Sequence, residues 1–257
     1  MNTPALQVGD LHIRLGGAPI LRGLGFAVRP GERVAVIGPN GAGKTTLFQV
    51  LSGALRPDAG RVWLAGRDVT GWAPHRLARA GLARSFQIQQ LFGPHTVAEH
   101  LRCALLHQHG GWWRRLQSPG MDAAVRDWAE RLDLAQRHHT PAQSLSYAEQ
   151  RRLDVGLALA SDAPVLLLDE PTAGLSRSET TELSTRLRAW TTGRTLLMVE
   201  HDMDVVFGLA DRVLVLVDGQ LIADGSPDAV RANPAVQQAY LGEALGATPH
   251  AVPEVQP

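Results

Sequence analysis

Lysine is almost missing from this chain: of 25 basic residues among 257, Lys44 is the only lysine and the rest are arginine. Cysteine is equally scarce. Cys103 stands alone, which excludes an internal disulfide and a cysteine-built metal cluster and fits a reducing compartment. Its expected role is that of a small buried hydrophobe on a helix. Charge of one sign is lacking as well, since 25 acids balance 25 bases. That balance excludes the basic footprint of a nucleic-acid partner and the polybasic stretch of a membrane-surface anchor. No apolar run approaches the roughly 20 residues that span a bilayer. The opening residues MNTPALQVGD carry neither the charged nor the apolar region of a signal peptide. These absences lead us to expect a cytosolic protein whose membrane association, if any, comes through a partner.

What is present is a phosphate-cradling pattern. Gly38-Pro39-Asn40-Gly41-Ala42-Gly43-Lys44-Thr45-Thr46 follows the apolar run Arg33 to Ile37, so a strand runs into a P-loop and a helix opens behind it. Glycine lets successive backbone N–H groups turn inward on phosphate, Lys44 adds a compact point charge where a guanidinium fork would not suit, and Thr45 offers a hydroxyl to Mg²⁺. The positive end of the helix favours the anion further.

The length allows one large α/β domain, or a core with a smaller appended lobe. Residues 6–37 read as short strands with alternating burial, Leu11 to Leu15 and Leu24 to Val28 among them, which predicts antiparallel pairing. Gly60 to Gly66 brackets another strand. Val165 to Leu168 and Thr195 to Val199 are continuous apolar runs of the kind buried on both faces of a parallel sheet, with a helical crossover from about Ser178 to Trp190 between them. Arg212 to Val217 and Gln220 to Ala223, joined by Asp218-Gly219, form a hairpin. The middle of the chain differs in period. Thr96-x-x-Glu99 is a capping box, and Val125, Trp128, Ala129 and Leu132 share a helix face, so a helical lobe interrupts the core. Its helices are split by a loop carrying Trp112-Trp113, which either caps a core or faces a partner. The histidine pairs His107/His109 and His138/His139 lack matching ligands and read as surface residues.

Val165 to Leu168 ends in Asp169-Glu170. A carboxylate at the tip of a buried strand beside a P-loop can hold Mg²⁺, and the next can polarise an attacking water. Glu200-His201-Asp202 closes the following strand, and a parallel sheet would bring His201 to the phosphate edge as a γ-phosphate contact.

With these motifs in hand, the sequence over about residues 5–242 resembles the nucleotide-binding subunit of ABC transporters. Gln87 in Ser85-Phe86-Gln87 matches that family's Q-loop, Leu145-Ser146-Tyr147-Ala148-Glu149-Gln150-Arg151-Arg152 its signature, and Pro171 to Ser176 its D-loop, with His201 as the switch histidine. More narrowly, the long lobe between Gln87 and Leu145, the tyrosine in the signature and the ending Ala239-Tyr240-Leu241-Gly242-Glu243 look like the larger ATPase subunit of branched-chain amino-acid importers. Urea and aromatic-acid importers share that subtype.

The resemblance implies an α/β P-loop NTPase core with a mostly parallel sheet, an N-terminal antiparallel β subdomain and an α-helical subdomain inserted at about 88–160. Residues 243–257, rich in proline and glycine, are expected to be disordered. It implies ATP and Mg²⁺ as ligands, Glu170 as general base, and Thr45, Asp169 and Gln87 at the metal. Two such subunits would close head to tail, each ATP held by one P-loop and met by Ser146 and Ala148 of the other subunit. The implied partners are that second ATPase subunit, two transmembrane permease subunits docked near the helical lobe, and an extracytoplasmic substrate-binding protein, with the chain held at the cytoplasmic face of the inner membrane. Three positions depart from the family pattern. Tyr147 and Ala148 stand where two glycines are usual and crowd the approach to phosphate. Ser176 replaces an aspartate, and Leu15 replaces the aromatic ring that stacks on adenine. A soluble ABC-type ATPase acting on DNA, ribosomes or cluster assembly remains an alternative, though no coiled-coil insert, second P-loop or basic face supports it.

Overall fold

A computed structural model describes residues 3–85, 91–106 and 119–239. The strands are β1 (Leu6–Leu15), β2 (Ala18–Val28), β3 (Arg33–Ile37), β4 (Ala59–Leu64), β5 (Arg67–Asp68), β6 (Leu82–Arg84), β7 (Val165–Asp169), β8 (Thr195–Val199), β9 (Arg212–Val217) and β10 (Gln220–Gly225). The helices used below are α1 (Lys44–Leu51), α2 (Pro74–Arg79), α3 (Val97–Leu106), α4 (Pro119–Arg131), α5 (Tyr147–Ala160), α6 (Arg177–Trp190), α7 (Met203–Leu209) and α8 (Pro227–Arg231). None of the described helices is long and apolar enough to cross a membrane.

Two sheets form. One has the order β2-β1-β4-β5 and is antiparallel; the other runs β10-β9-β3-β8-β7-β6, parallel except at the β9–β10 hairpin. The predicted short N-terminal strands are in fact longer. Asp10 takes φ 49, and the register slips between Val8 and Leu11, so β1 continues through a bulge ahead of the expected Leu11 to Leu15 stretch.

Continuous apolar sequence in β3, β7 and β8 is explained by burial on both faces. Val34, Val36, Leu167, Leu197 and Val199 join the core shared with the antiparallel sheet and with Leu47, Phe48 and Leu51 of α1. The alternate residues Ala35, Ile37, Leu166, Leu168, Leu196 and Met198 pack on Leu183 and Leu187 of α6, Val206 and Leu209 of α7, and Val155 and Leu159 of α5. Each large side chain that these strands remove from water, on either face, stabilises by roughly 1.5–3 kcal/mol. A third cluster joins Val97, Leu101 and Leu105 of α3, Val125 and Ala129 of α4, and Leu153 of α5. The predicted face of α4 is inside this cluster. Cys103 is not: it is exposed on α3, opposite the buried Val97, Leu101 and Leu105, which corrects the expectation of a buried thiol.

The turn between β9 and β10 has a second task. Gly219 donates its N–H to Ala42 O at 3.0 Å, and its own carbonyl accepts from Arg22 N at 3.0 Å. The last hairpin therefore backs the P-loop and ties it to the antiparallel sheet.

Candidate functional site

Parallel strands end on one edge, and here β3, β8, β7 and β6 lie side by side in that order. Their carboxyl ends deliver, in turn, the P-loop, His201, Asp169 with Glu170, and Arg84 with Ser85. Such an edge is where open α/β sheets bind ligands.

The P-loop is shaped by its neighbours. Gly38 takes φ 153, and a Cβ there would stand 2.0 Å from Leu216 O, so only glycine lets the loop pass β9. Gly43, at φ 102, is the N-cap of α1. This helix has no side-chain cap and no acidic residue in its first turn, so its leading N–H groups face outward for an anion. Pro39 is half-buried and Asn40 and Gly41 are exposed at the mouth, while Ala42 joins the core, Thr46 is buried and Thr45 is exposed beside the cleft. Lys44 is 6% exposed, and its ammonium donates to Gly38 O at 2.6 Å and Pro39 O at 2.9 Å, which holds it across the loop.

Asp169 sits half-buried at the tip of β7. Its Oδ2 accepts from Arg84 Nη2 at 2.8 Å, and Arg84 Nη1 donates to Ser52 Oγ at 2.8 Å, at the end of α1. Glu170 follows in the left-handed region at φ 47, a conformation that costs a non-glycine residue of order 1–3 kcal/mol and must be held by its surroundings. His201 Nε2 donates to Glu170 Oε1 at 2.9 Å. Glu200, 3% exposed, accepts from Thr172 N at 2.9 Å, from Thr172 Oγ1 at 2.6 Å and from His201 N at 2.9 Å.

The signature opens α5. Ser146 Oγ accepts from Glu149 N at 3.3 Å, and Ser146 N donates to Glu149 Oε2 at 2.8 Å, a reciprocal capping box. Burial opposes ionisation of Glu149, but hydrogen bonds from Ser146 and Arg137 outweigh it and hold the carboxyl below the usual glutamate range. Ala148 is half-buried on the first turn. The Tyr147 ring turns away from the helix end onto the D-loop, donating to Ala173 O at 3.0 Å and covering Gly174. Ser176 takes over the aspartate's position as N-cap of α6, boxed with Glu179.

Gln87, the Trp112-Trp113 loop, His107, His109 and residues 243–257 lie outside the described residues. Leu15 is 41% exposed at the end of β1. Two contributors escaped the sequence reading. Arg84 and Glu200 act through partners 85 and 28 positions away; an arginine beside Ser85-Phe86-Gln87 and an acid before His201 were the only signals available.

The family model described as ABC transporter matches residues 21–173, and one described as branched-chain amino acid ATP-binding cassette transporter matches 220–245. The high-affinity branched-chain amino acid transport ATP-binding protein LivG of Salmonella typhimurium is 38% identical over 256 residues, covering 95% of this chain and 100% of that protein. The protein of the same description named BraF, from Pseudomonas aeruginosa, is 36% identical over 257 residues with the same coverage. Among solved structures, MJ1267, an ATP-binding cassette of an ABC transporter, superposes with a TM-score of 0.82 at 28% identity, over 92% of this chain and 98% of that one. Its ADP conformation gives a TM-score of 0.79 at 29% identity over 93% and 99% of the two chains. A P-loop, a carboxylate pair and a histidine on one sheet edge, with full-length relatives of this kind, lead to one conclusion: the chain belongs to the ABC transporter family, as one of its ATP-hydrolysing subunits.

Proposed function

We propose that this ATPase energises an importer for branched-chain or other hydrophobic amino acids. The observation that carries the reading is the meeting of Lys44, Asp169, Glu170 and His201 on one edge, in a chain whose full-length relatives are named for branched-chain amino acid transport. ATP lies with its phosphates on the P-loop amides and Lys44. Glu170 takes the proton of the attacking water, and His201 orients Glu170 while facing the γ-phosphate. A Mg²⁺ ion here would need only one or two protein oxygens. Thr45 and Asp169 are oxygen donors lining one cleft and would hold it, where it would draw charge from the phosphate oxygens. Gln87 is assigned to the same metal and water.

A second ATPase subunit closes over the nucleotide and receives Ser146 and Ala148 toward its own ATP. The two permease subunits dock one to each ATPase subunit, near the helical lobe; on this chain the same cleft that holds Thr45 and Asp169, of about 630 Å³, is also lined by Gln49, Pro74, Phe92, Glu99 and Leu157. Exposed Phe92 offers them an apolar contact. An extracytoplasmic binding protein supplies the substrate, and the chain is held peripherally at the cytoplasmic face of the inner membrane. The test is Glu170→Gln in the transporter reconstituted with its permeases: ATP binding persists, hydrolysis falls ~10²–10⁴-fold and leucine uptake stops. Wild-type uptake of urea or an aromatic acid in place of leucine would reassign the cargo, and hydrolysis that persists in Glu170→Gln would remove the base.

A further inference from the structure

Glu200 is a buried carboxylate that the hydrolysis scheme does not use. No cationic side chain pairs with it among the described residues; its three donors are the neutral Thr172 N, Thr172 Oγ1 and His201 N. Burying an ionised group among neutral donors is expensive unless both oxygens are needed as acceptors. Here both are needed. Oε1 takes the two Thr172 donors and Oε2 takes His201 N–H, which no amide or apolar side chain of this size can do at once.

The consequence is a closed ring. It runs from Glu170 Oε1 to His201 Nε2, from His201 N to Glu200 Oε2, from Glu200 Oε1 to Thr172 N, and back along two peptide bonds to Glu170. Glu170 N also donates to Val199 O at 2.9 Å, and Ala173 N donates to Glu170 O at 3.1 Å. The left-handed backbone of Glu170 is therefore over-determined from two strands.

We propose that Glu200 is a positioning residue that locks the loop after β8 to the loop after β7, so that His201 and Glu170 keep their register as one hydrogen-bonded unit. The proposal rests on the roles assigned above to Glu170 and His201. In the hydrolysis scheme Glu200 has no assigned contact with nucleotide or attacking water; it acts through the two groups it aligns. Precise placement of a base is worth about 10²-fold in rate, and binding of ATP, which depends on the P-loop, should not feel it.

The experiment uses Glu200→Gln, which keeps the shape but presents an NH₂ group to one of the three donors. In the full chain without nucleotide, amide hydrogen exchange over residues 170–173 and 200–202 should rise by about tenfold or more. ATP affinity should stay within about twofold of wild type, while single-turnover hydrolysis by the assembled transporter falls about 10²-fold. In a His201→Ala background the added loss should shrink to about twofold, because the register no longer has two members. Unchanged exchange with unchanged hydrolysis, or a full loss that persists in the His201→Ala background, overturns the proposal. Hydrolysis left intact by His201→Ala alone would instead overturn the site assignment beneath it. Should Glu200→Gln fail to fold, Glu200→Asp keeps both acceptor oxygens but draws them back by one methylene from the Thr172 and His201 amides that close the ring. A smaller loss in the same direction then supports the ring, and wild-type hydrolysis rejects it.

Discussion

Gly174→Ala probes how the signature and the D-loop of one chain are joined. Gly174 takes φ 78, and a Cβ built there would stand 2.8 Å from Tyr147 Oη, 2.9 Å from Cε1 and 3.0 Å from Cζ. Two costs follow. Alanine in the left-handed region costs roughly 1–2 kcal/mol. The obstructing atoms belong to a ring that is 47% exposed, so it can swing into water, but doing so breaks the 3.0 Å bond from Tyr147 Oη to Ala173 O. That bond is worth roughly 1 kcal/mol. The sum is about 2–3 kcal/mol, of which only the backbone part should remain once the ring is gone. Denaturant midpoints at constant m-value for wild type, Gly174→Ala, Tyr147→Ala and the double variant form the cycle. We expect a coupling of about 1 kcal/mol, with Gly174→Ala costing less in the Tyr147→Ala background. An identical cost in both backgrounds would refute the contact, and with it the idea that the two segments are fastened together.

Three further outcomes are expected. Lys44→Ala should weaken MgATP binding by roughly 10–100-fold, since a hydrogen bond to a charged group contributes about 1.5–3 kcal/mol; equal affinity by calorimetry would count against a phosphate role. Arg84→Met strands the half-buried Asp169 carboxylate and should lower unfolding free energy by roughly 1–3 kcal/mol, and a stability equal to wild type would show that water satisfies the Asp169 carboxylate unaided. Glu149 has its folded pKa lowered, with burial opposed and exceeded by the bonds from Ser146 and Arg137. Its ionised form therefore stabilises the fold at pH above the unfolded value, and that contribution is lost as pH falls through the folded one. Thermal unfolding of wild type and Glu149→Gln should differ by a constant amount near neutrality and converge as the pH falls below the ordinary glutamate range and through the lowered folded value; a gap that survives acid would contradict the sign.

Elements whose cause is local were legible in the sequence. The runs in β3, β7 and β8 announce themselves because both faces of each strand are apolar, and the capping box at Thr96 is written in four consecutive residues, with Thr96 N donating to Glu99 Oε2 at 2.7 Å. Cys103 was misread for a reason that the periodicity already contained: with Val97, Leu101 and Leu105 facing inward, a residue two beyond Leu101 faces out, whatever its own hydrophobicity. Non-local pairings were beyond reach. Arg84 meets Asp169 only because β6 aligns with β7, with Arg84 opposite Leu167, and Glu200 meets Thr172 only because β7 aligns with β8. Tyr147 looked like an obstacle at the phosphate because its residue type was known and its rotamer was not.

The last hairpin sets a limit on how far this ATPase can be pared down. Every residue assigned to phosphate, metal or water lies at or before His201, so a fragment ending there would carry the whole chemical inventory. It would lack β9, which pairs with β3 along Val34 to Ile37, and the turn whose Gly219 grips Ala42. The nucleotide loop would then hang from a strand with one bare edge. Possession of the motifs and the ability to hold a nucleotide are separable properties of this chain, and the second is written some twenty residues after the first is complete.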